Sequence, residues 1–204
     1  LCIRRTNLLN NFLTLCFIII CSITPLKAEK LNLKALSSHL SLMKKGITTF
    51  IQINDDKTTS TGTISFIRPG RMRIQYDSPD NSLILIAGGR IAVFDQKSNM
   101  PPREFPLDQT PLHLFLKKTI NLEKSNFLTN HIMVENFTVV YLRDPDFGVL
   151  KLVFSPNPIQ LKEWTISNQL GEDTTLRFED FDYYSSLTNT DFNILLEVER
   201  RSLK

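Results

Sequence analysis

From residue 48 onward the chain repeats one pattern: a short run of alternating apolar and polar residues, then a cluster of turn formers. "TTFIQIND" and "STGTISFI" flank a polar turn, "RMRIQYD" follows across "RPG", and "SLILIAGGRIAVFD" is two apolar runs joined at Gly88-Gly89. After residue 131 the pattern resumes in "HIMVENFTVVYLRD", "FGVLKLVFSP", "QLKEWTISNQ" and "TTLRFEDFDYY". These runs are bounded by Asp144-Pro145, Pro156-Asn157-Pro158 and Gly171-Glu172-Asp173. A period of two sends successive side chains to opposite faces of a strand, and a glycine pair suits the tight primed turn of a hairpin. Short strands at about ten-residue spacing predict a meandering antiparallel sheet that curls. The prolines of "PPREFPLD" cannot donate to a ladder, which makes it a short edge strand.

Helical spacing interrupts the pattern in two places. "LNLKALSSHLSLMKKG" (31–46) carries Leu33, Leu36, Leu40, Met43 and then Ile47 at steps of three and four, an amphipathic helix with Gly46 as its stop. "TPLHLFLKK" (110–118) is too apolar for a surface loop, and Thr110-Pro111 is a good cap and first-turn pair. As a helix it gathers Leu112, Phe115 and Leu116 on one face. "NLEKSNFL" is compatible with its continuation, and the tail "NTDFNILLEVERRSLK" fits strand or helix equally. No repeat, low-complexity tract or linker divides the chain.

The N-terminus is read as a cleaved secretory signal over residues 1–28. Basic Arg4 and Arg5 precede an apolar run from Phe12 to Ile23, Pro25 and the small Ala28. That run of about a dozen residues falls short of the roughly 20 that span a bilayer. Cys16 and Cys21 follow Leu15 and Ile20, not the small residue a lipid-modified cysteine requires. All three cysteines lie in this leader, so the expected mature domain, 29–204, has no disulfide or thiolate chemistry. Taking Arg4, Arg5 and Lys27 from the 24 basic residues leaves 21 against 21 acidic ones. Such a balance gives no support for binding nucleic acid or an anionic surface.

Catalytic patterns are missing. His39, His113 and His131 stand far apart with no metal-binding spacing, no G-x-S-x-G accompanies the serines, and the carboxylates (Asp55, Asp56, Asp80, Glu172, Asp173) fall mainly in turns. His39 and His113 read as surface or packing residues. No enzyme activity, metal or cofactor is expected; a secreted hydrolase would need a site assembled only in space.

Arg68 breaks the alternation. In "SFIRPGRMRIQY" it shares parity with Phe66, Met72 and Ile74, while Arg71, Arg73 and Gln75 form the wet face. Either the guanidinium points into the apolar side and must find acceptors there, or Pro69-Gly70 resets the parity and leaves it in solvent.

The stretches "STGTISFIRPGRMRIQYDSPD" (60–80), "LILIAGGRIAVFD" (83–95) and "FPLDQTPLHLFL" (105–116) resemble LolA-type carriers, which take lipoproteins across the bacterial periplasm. The order and spacing of R-P, Y-x-x-P, the glycine hairpin, F-D and P-L-x-x-T-P-L match over about sixty residues. Beyond residue 120 only the strand rhythm is shared. The resemblance implies an unclosed antiparallel half-barrel, with an N-terminal amphipathic helix and a short helical lid over a hydrophobic cavity. It implies that Arg68 latches the lid 110–118 by hydrogen bonds to its backbone, and that Pro111, Leu112, Phe115 and Leu116 belong to that lid. The cavity is expected to be lined by Leu40, Phe50, Phe66, Met72, Ile74, Leu83, Leu85, Phe94, Leu150, Leu152 and Trp164; Met72 and Ile74 replace aromatics found in some members. The implied role is a monomeric periplasmic carrier of acylated lipoproteins that receives cargo from an inner-membrane ABC transporter and passes it to an outer-membrane acceptor. The alternative on the same fold is a periplasmic module that senses lipid or mislocalised lipoprotein.

Overall fold

The computed structural model of the protein describes residues 29–95 and 100–203. The signal expected over residues 1–28 lies outside them. The alternating runs become eleven strands among the described residues: β1 (Lys45–Asn54), β2 (Thr59–Ile67), β3 (Arg71–Tyr76), β4 (Leu83–Ala87), β5 (Arg90–Phe94), β6 (Arg103–Pro106), β7 (Leu128–Val134), β8 (Phe137–Asp144), β9 (Gly148–Pro156), β10 (Ile159–Ser167) and β11 (Asp173–Phe178). They form one antiparallel sheet in the order β6-β5-β4-β3-β2-β1-β11-β10-β9-β8-β7. Every pairing joins strands consecutive in the chain except β1–β11, where the two halves of the chain meet. With β6 and β7 at opposite ends, the sheet curls without closing, a half-barrel. Gly62 permits close packing on β2: a Cβ there would come within 2.3 Å of the Gln75 carbonyl oxygen and 2.8 Å of the Phe50 ring.

Helix α1 (Leu33–Leu42) is capped by Asn32, whose side chain accepts from the Ala35 N–H at 2.8 Å. It turns Leu36 and Leu40 into the core and ends at Met43, earlier than the Gly46 stop expected from sequence. Gly46 and Ile47 belong to β1 instead. A side chain at 46 would press on the rings of Phe66 (3.2 Å) and Tyr183 (3.3 Å), so the glycine serves packing. The apolar 110–118 segment makes a single turn, α2 (Leu112–Phe115), preceded by a 3-10 turn at Leu107–Gln109. Residues 121–127 run as turns and do not extend the helix. The ambiguous tail is helical: α3 (Ile194–Ser202) starts at the Asn193 side chain, which accepts from the Leu196 N–H at 3.1 Å.

The concave face holds the main core. Phe50, Phe66, Met72, Ile74, Leu150, Leu152, Trp164 and Leu176 pack there under Leu36 and Leu40 of α1 and Leu112, Phe115 and Leu116 of the 110–118 segment. Leu83, Leu85 and Phe94, expected in the cavity, face the other way. With Ala92 they form a separate convex cluster under Ile194 and Val198 of α3, while Ile86 and Ile91 supply the concave side. Strands β4 and β5 are covered on both faces, and such strands read as unbroken apolar runs whose parity does not say which side is inside.

Candidate functional site

Arg68 is drawn inward by the ladder itself. The β1–β2 pairing runs one bond past Ile67, with the Arg68 N–H donating to the Lys44 carbonyl at 2.8 Å. The alternation therefore holds through residue 68 and puts its side chain on the Phe66 face. The turn follows only afterwards, at Pro69-Gly70, where Gly70 takes the left-handed φ of +68°. The guanidinium is buried. Its Nε donates to the Met43 carbonyl at 2.7 Å, and its Nη2 donates to the carbonyls of Leu40 and Met43. These acceptors lie at the C-terminal end of α1, where carbonyls lack intrahelical donors and the helix dipole favours a cation. Burial pushes the guanidinium pKa down to about 10, so the group stays charged at neutral pH.

The acceptors thus differ from those the sequence suggested. Arg68 grips α1, and it meets the 110–118 segment through the Phe115 ring, whose centre lies 5.5 Å from the guanidinium carbon. That segment is tied to the same turn by backbone, the Gly70 N–H donating to the Leu116 carbonyl at 3.0 Å. The reason is topological. Arg68 sits opposite Lys44, at the point where α1 feeds into β1, so the end of α1 is the nearest source of free carbonyls.

Two elements therefore cover the concave face together. Phe115 stands edge-on between Phe66 (5.6 Å) and Trp164 (5.1 Å), with Pro111, Leu112 and Leu116 buried beside it. His113 holds the segment to the rim of β8: its Nδ1 lies 2.8 Å from the Thr110 carbonyl and its Nε2 3.8 Å from Asp144. Lys117 lies over the Phe127 ring at 4.6 Å. The segment joins α1 where the Leu122 N–H donates to the Ser37 hydroxyl at 3.0 Å. Of the expected cavity residues, Leu40, Phe50, Phe66, Met72, Ile74, Leu150, Leu152 and Trp164 share this core.

Sequence reasoning missed the aromatic chain that completes the wall. From Trp164 it runs through Phe178 (4.9 Å) and Phe181 (5.3 Å) to the stacked Tyr183 (5.8 Å). The signal was the aromatic rhythm of "FEDFDYY", held in place because Ile47 and Asp182 exchange backbone hydrogen bonds at 2.9 and 2.8 Å. His39, read from sequence as a surface or packing residue, packs on the core. It meets Phe154 edge-on at 6.3 Å, and burial, then the charge of Arg68, hold its pKa below the usual histidine value. Among the described residues no three His, Cys, Asp or Glu side chains are grouped to hold a metal.

Residues 43–195 match the family model for the outer membrane lipoprotein carrier protein LolA. The chain belongs to the LolA family. Among named relatives, an outer-membrane lipoprotein carrier protein of Coxiella burnetii is 28% identical over 145 residues, which is 65% of this chain. The chain spans 65% of that relative's length. Among solved structures, a LolA superfamily protein from Nitrosomonas europaea superposes with a TM-score of 0.45 at 9% identity, covering 80% of this chain and 98% of the other. A conserved protein from Thermus thermophilus gives 0.47 at 9% identity, over 78% and 90%. The LolA match takes in Arg68 and Met43, whereas all of α1 and most of α3 lie beyond its ends.

Proposed function

We propose that the protein is a non-enzymatic periplasmic carrier that encloses the acyl chains of lipid-modified proteins beneath α1 and the 107–122 segment and delivers them to the outer membrane. One observation carries this reading. The largest apolar surface of the fold lies under covers fastened by side chains and helix ends, with Arg68 bonding to the end of α1 in place of a ladder. A fastening of that kind opens without unfolding the sheet. The need for enclosure is large: at about 0.8 kcal/mol per methylene, three chains of about sixteen carbons would cost over roughly 30 kcal/mol bare in water. Closure of the empty state lowers apparent affinity by the population of the open form, which eases release. The partners implied are an inner-membrane lipoprotein-releasing ABC transporter and an outer-membrane acceptor.

The test is to incubate the purified protein with membranes bearing a labelled lipoprotein and its releasing transporter. Carriage predicts label appearing in solution as a one-to-one complex. Label that stays with the membrane at every protein concentration would falsify it.

A further inference from the structure

An open groove of about 630 Å³ lies at the end of the sheet that carries the β8–β9 and β10–β11 turns. Strand register builds its floor. Arg143 stands opposite Val149, Val149 opposite Ser167, and Ser167 opposite Asp173, one residue from each of β8, β9, β10 and β11. Side chains directly opposite one another share a face. Their chain neighbours Leu142 and Leu150 belong to the concave core, so this row is on the convex side. All four residues line the groove, as does Tyr141, two residues before Arg143 on the same face. Gln169 donates to the Asp146 carbonyl and so ties together the two turns that bound it.

The row is polar and unpaired. The Arg143 guanidinium and the Asp173 carboxylate belong to exposed residues, and neither has an ion-pair or hydrogen-bond partner among the described residues. The Tyr141 and Ser167 hydroxyls have none there either. Three strand spacings of about 4.8 Å hold the two charges roughly 14 Å apart, too far to pair with each other. An extended chain covers that distance in about four residues. A polypeptide brings backbone donors and acceptors to the hydroxyls along the way, and an open groove lets it continue at both ends. The groove also begins where the cover is held. Asp144 is one of its lining residues, and the Asp144 carboxylate stands 3.8 Å from His113 Nε2 of the 110–118 segment. Asp144 and Arg143 are consecutive and alternate between the two faces of β8. A chain leaving the cover therefore crosses the strand end, reaching Arg143 first and Asp173 last.

We propose that this groove holds the polypeptide tail of the cargo, the extended stretch that follows the acyl-bearing residue. An acidic side chain sits on Arg143 and a basic one, about four residues later, on Asp173. The proposal rests on the carrier reading above: the apolar face under the covers takes the hydrocarbon, and the groove reads the charge order of what trails it.

The experiment uses two short-chain diacyl lipopeptides, held below the concentration at which they form micelles. Their tails have one composition in two orders, acid first with a base four residues later, or the reverse. Binding to the purified protein is measured by calorimetry. At low salt the acid-first tail should bind about three- to tenfold tighter, the worth of two exposed ion pairs. The difference should fade at ~1 M salt, where charges are screened within about 3 Å. Arg143→Glu combined with Asp173→Lys should reverse the preference. Equal binding of both orders by the unaltered protein, a comparison that needs no variant to fold, overturns the groove and leaves the carrier reading standing. A preference unchanged in the charge-swapped variant overturns it as well. So does a preference shown only by the free peptides without acyl chains, which would give the groove to an unrelated chain. Binding of neither lipopeptide overturns the carrier reading itself and the groove with it.

Discussion

Beneath α1 and the 107–122 segment the sheet buries Trp164, four phenylalanines and many aliphatic side chains; beneath α3 it buries only Leu83, Leu85, Ala92 and Phe94. Each cover is fastened through one buried charge, and the charges have opposite sign. On the concave side Arg68 spends its donors on backbone carbonyls of the helix it holds. On the convex side Glu197 belongs to the helix itself and faces Arg73 of β3 at 3.8 Å, with Arg200 (3.2 Å) and Arg201 (3.0 Å) around it. Arg201 also lies 4.9 Å from the centre of the Phe94 ring. Arg68 fastens α1 at its C-terminal end, whereas Glu197, in the first turn of α3, ties that helix to β3 from within. The difference suits a movable concave cover and a stationary convex one.

The sharpest way to break that comparison is to damage the concave core directly. Trp164→Ala removes a fully buried indole packed between Phe115 and Phe178, and should cost about 4 kcal/mol in urea unfolding. Loss of less than about 1 kcal/mol would show that the concave side is not the main store of stability. Arg68→Leu comes next. It strands the Leu40 and Met43 carbonyls but also removes a buried charge, for a net loss of about 2 kcal/mol. Amide exchange should quicken over 33–43 and remain unchanged over 194–202. In the carriage assay this variant should hold cargo longer, and unaltered transfer to the acceptor would count against a latch.

Glu197→Gln should do the reverse at smaller size. Because Arg73 is partly exposed and Arg200 more so, the loss should be about 1 kcal/mol. Faster exchange should appear in α3 and β4, with 33–43 protected as before. If exchange rises at both covers in either variant, the two are one cooperative unit. The smallest expected effect is a slope. His39 binds its proton less readily in the fold than in the unfolded chain, whose histidines titrate near pH ~6.5. The unfolded state therefore takes up protons first as pH falls, and stability should decline below that value. His39→Gln should flatten the decline; an unchanged profile would mean that the imidazole is not shielded.

Much of this architecture was readable before coordinates, and the parts that were not share a cause. Period-two text located strands that have one wet face, as in β3, where Arg71, Arg73 and Gln75 alternate with Met72 and Ile74. The runs at 83–87 and 90–94 have no wet face, since α3 covers what would have been exposed, and α3 itself lay in a tail that fitted strand or helix equally. Glu197 with Arg200 and Arg201 at helical steps was the available sign that the tail forms a helix with a charged seat. The inward direction of Arg68 followed from alternation, but its acceptors did not, because two helix ends offered free carbonyls and only topology brings one of them within reach. His39 carried no sequence signal, being one polar residue on the flank of an amphipathic helix.

The unclosed sheet has a mechanical corollary. A sealed barrel has its diameter fixed by strand number and stagger, so widening it means breaking a row of hydrogen bonds. Here β6 and β7 end the sheet on either side of a gap. The concave face can deepen or flatten by changing twist alone, with every rung intact.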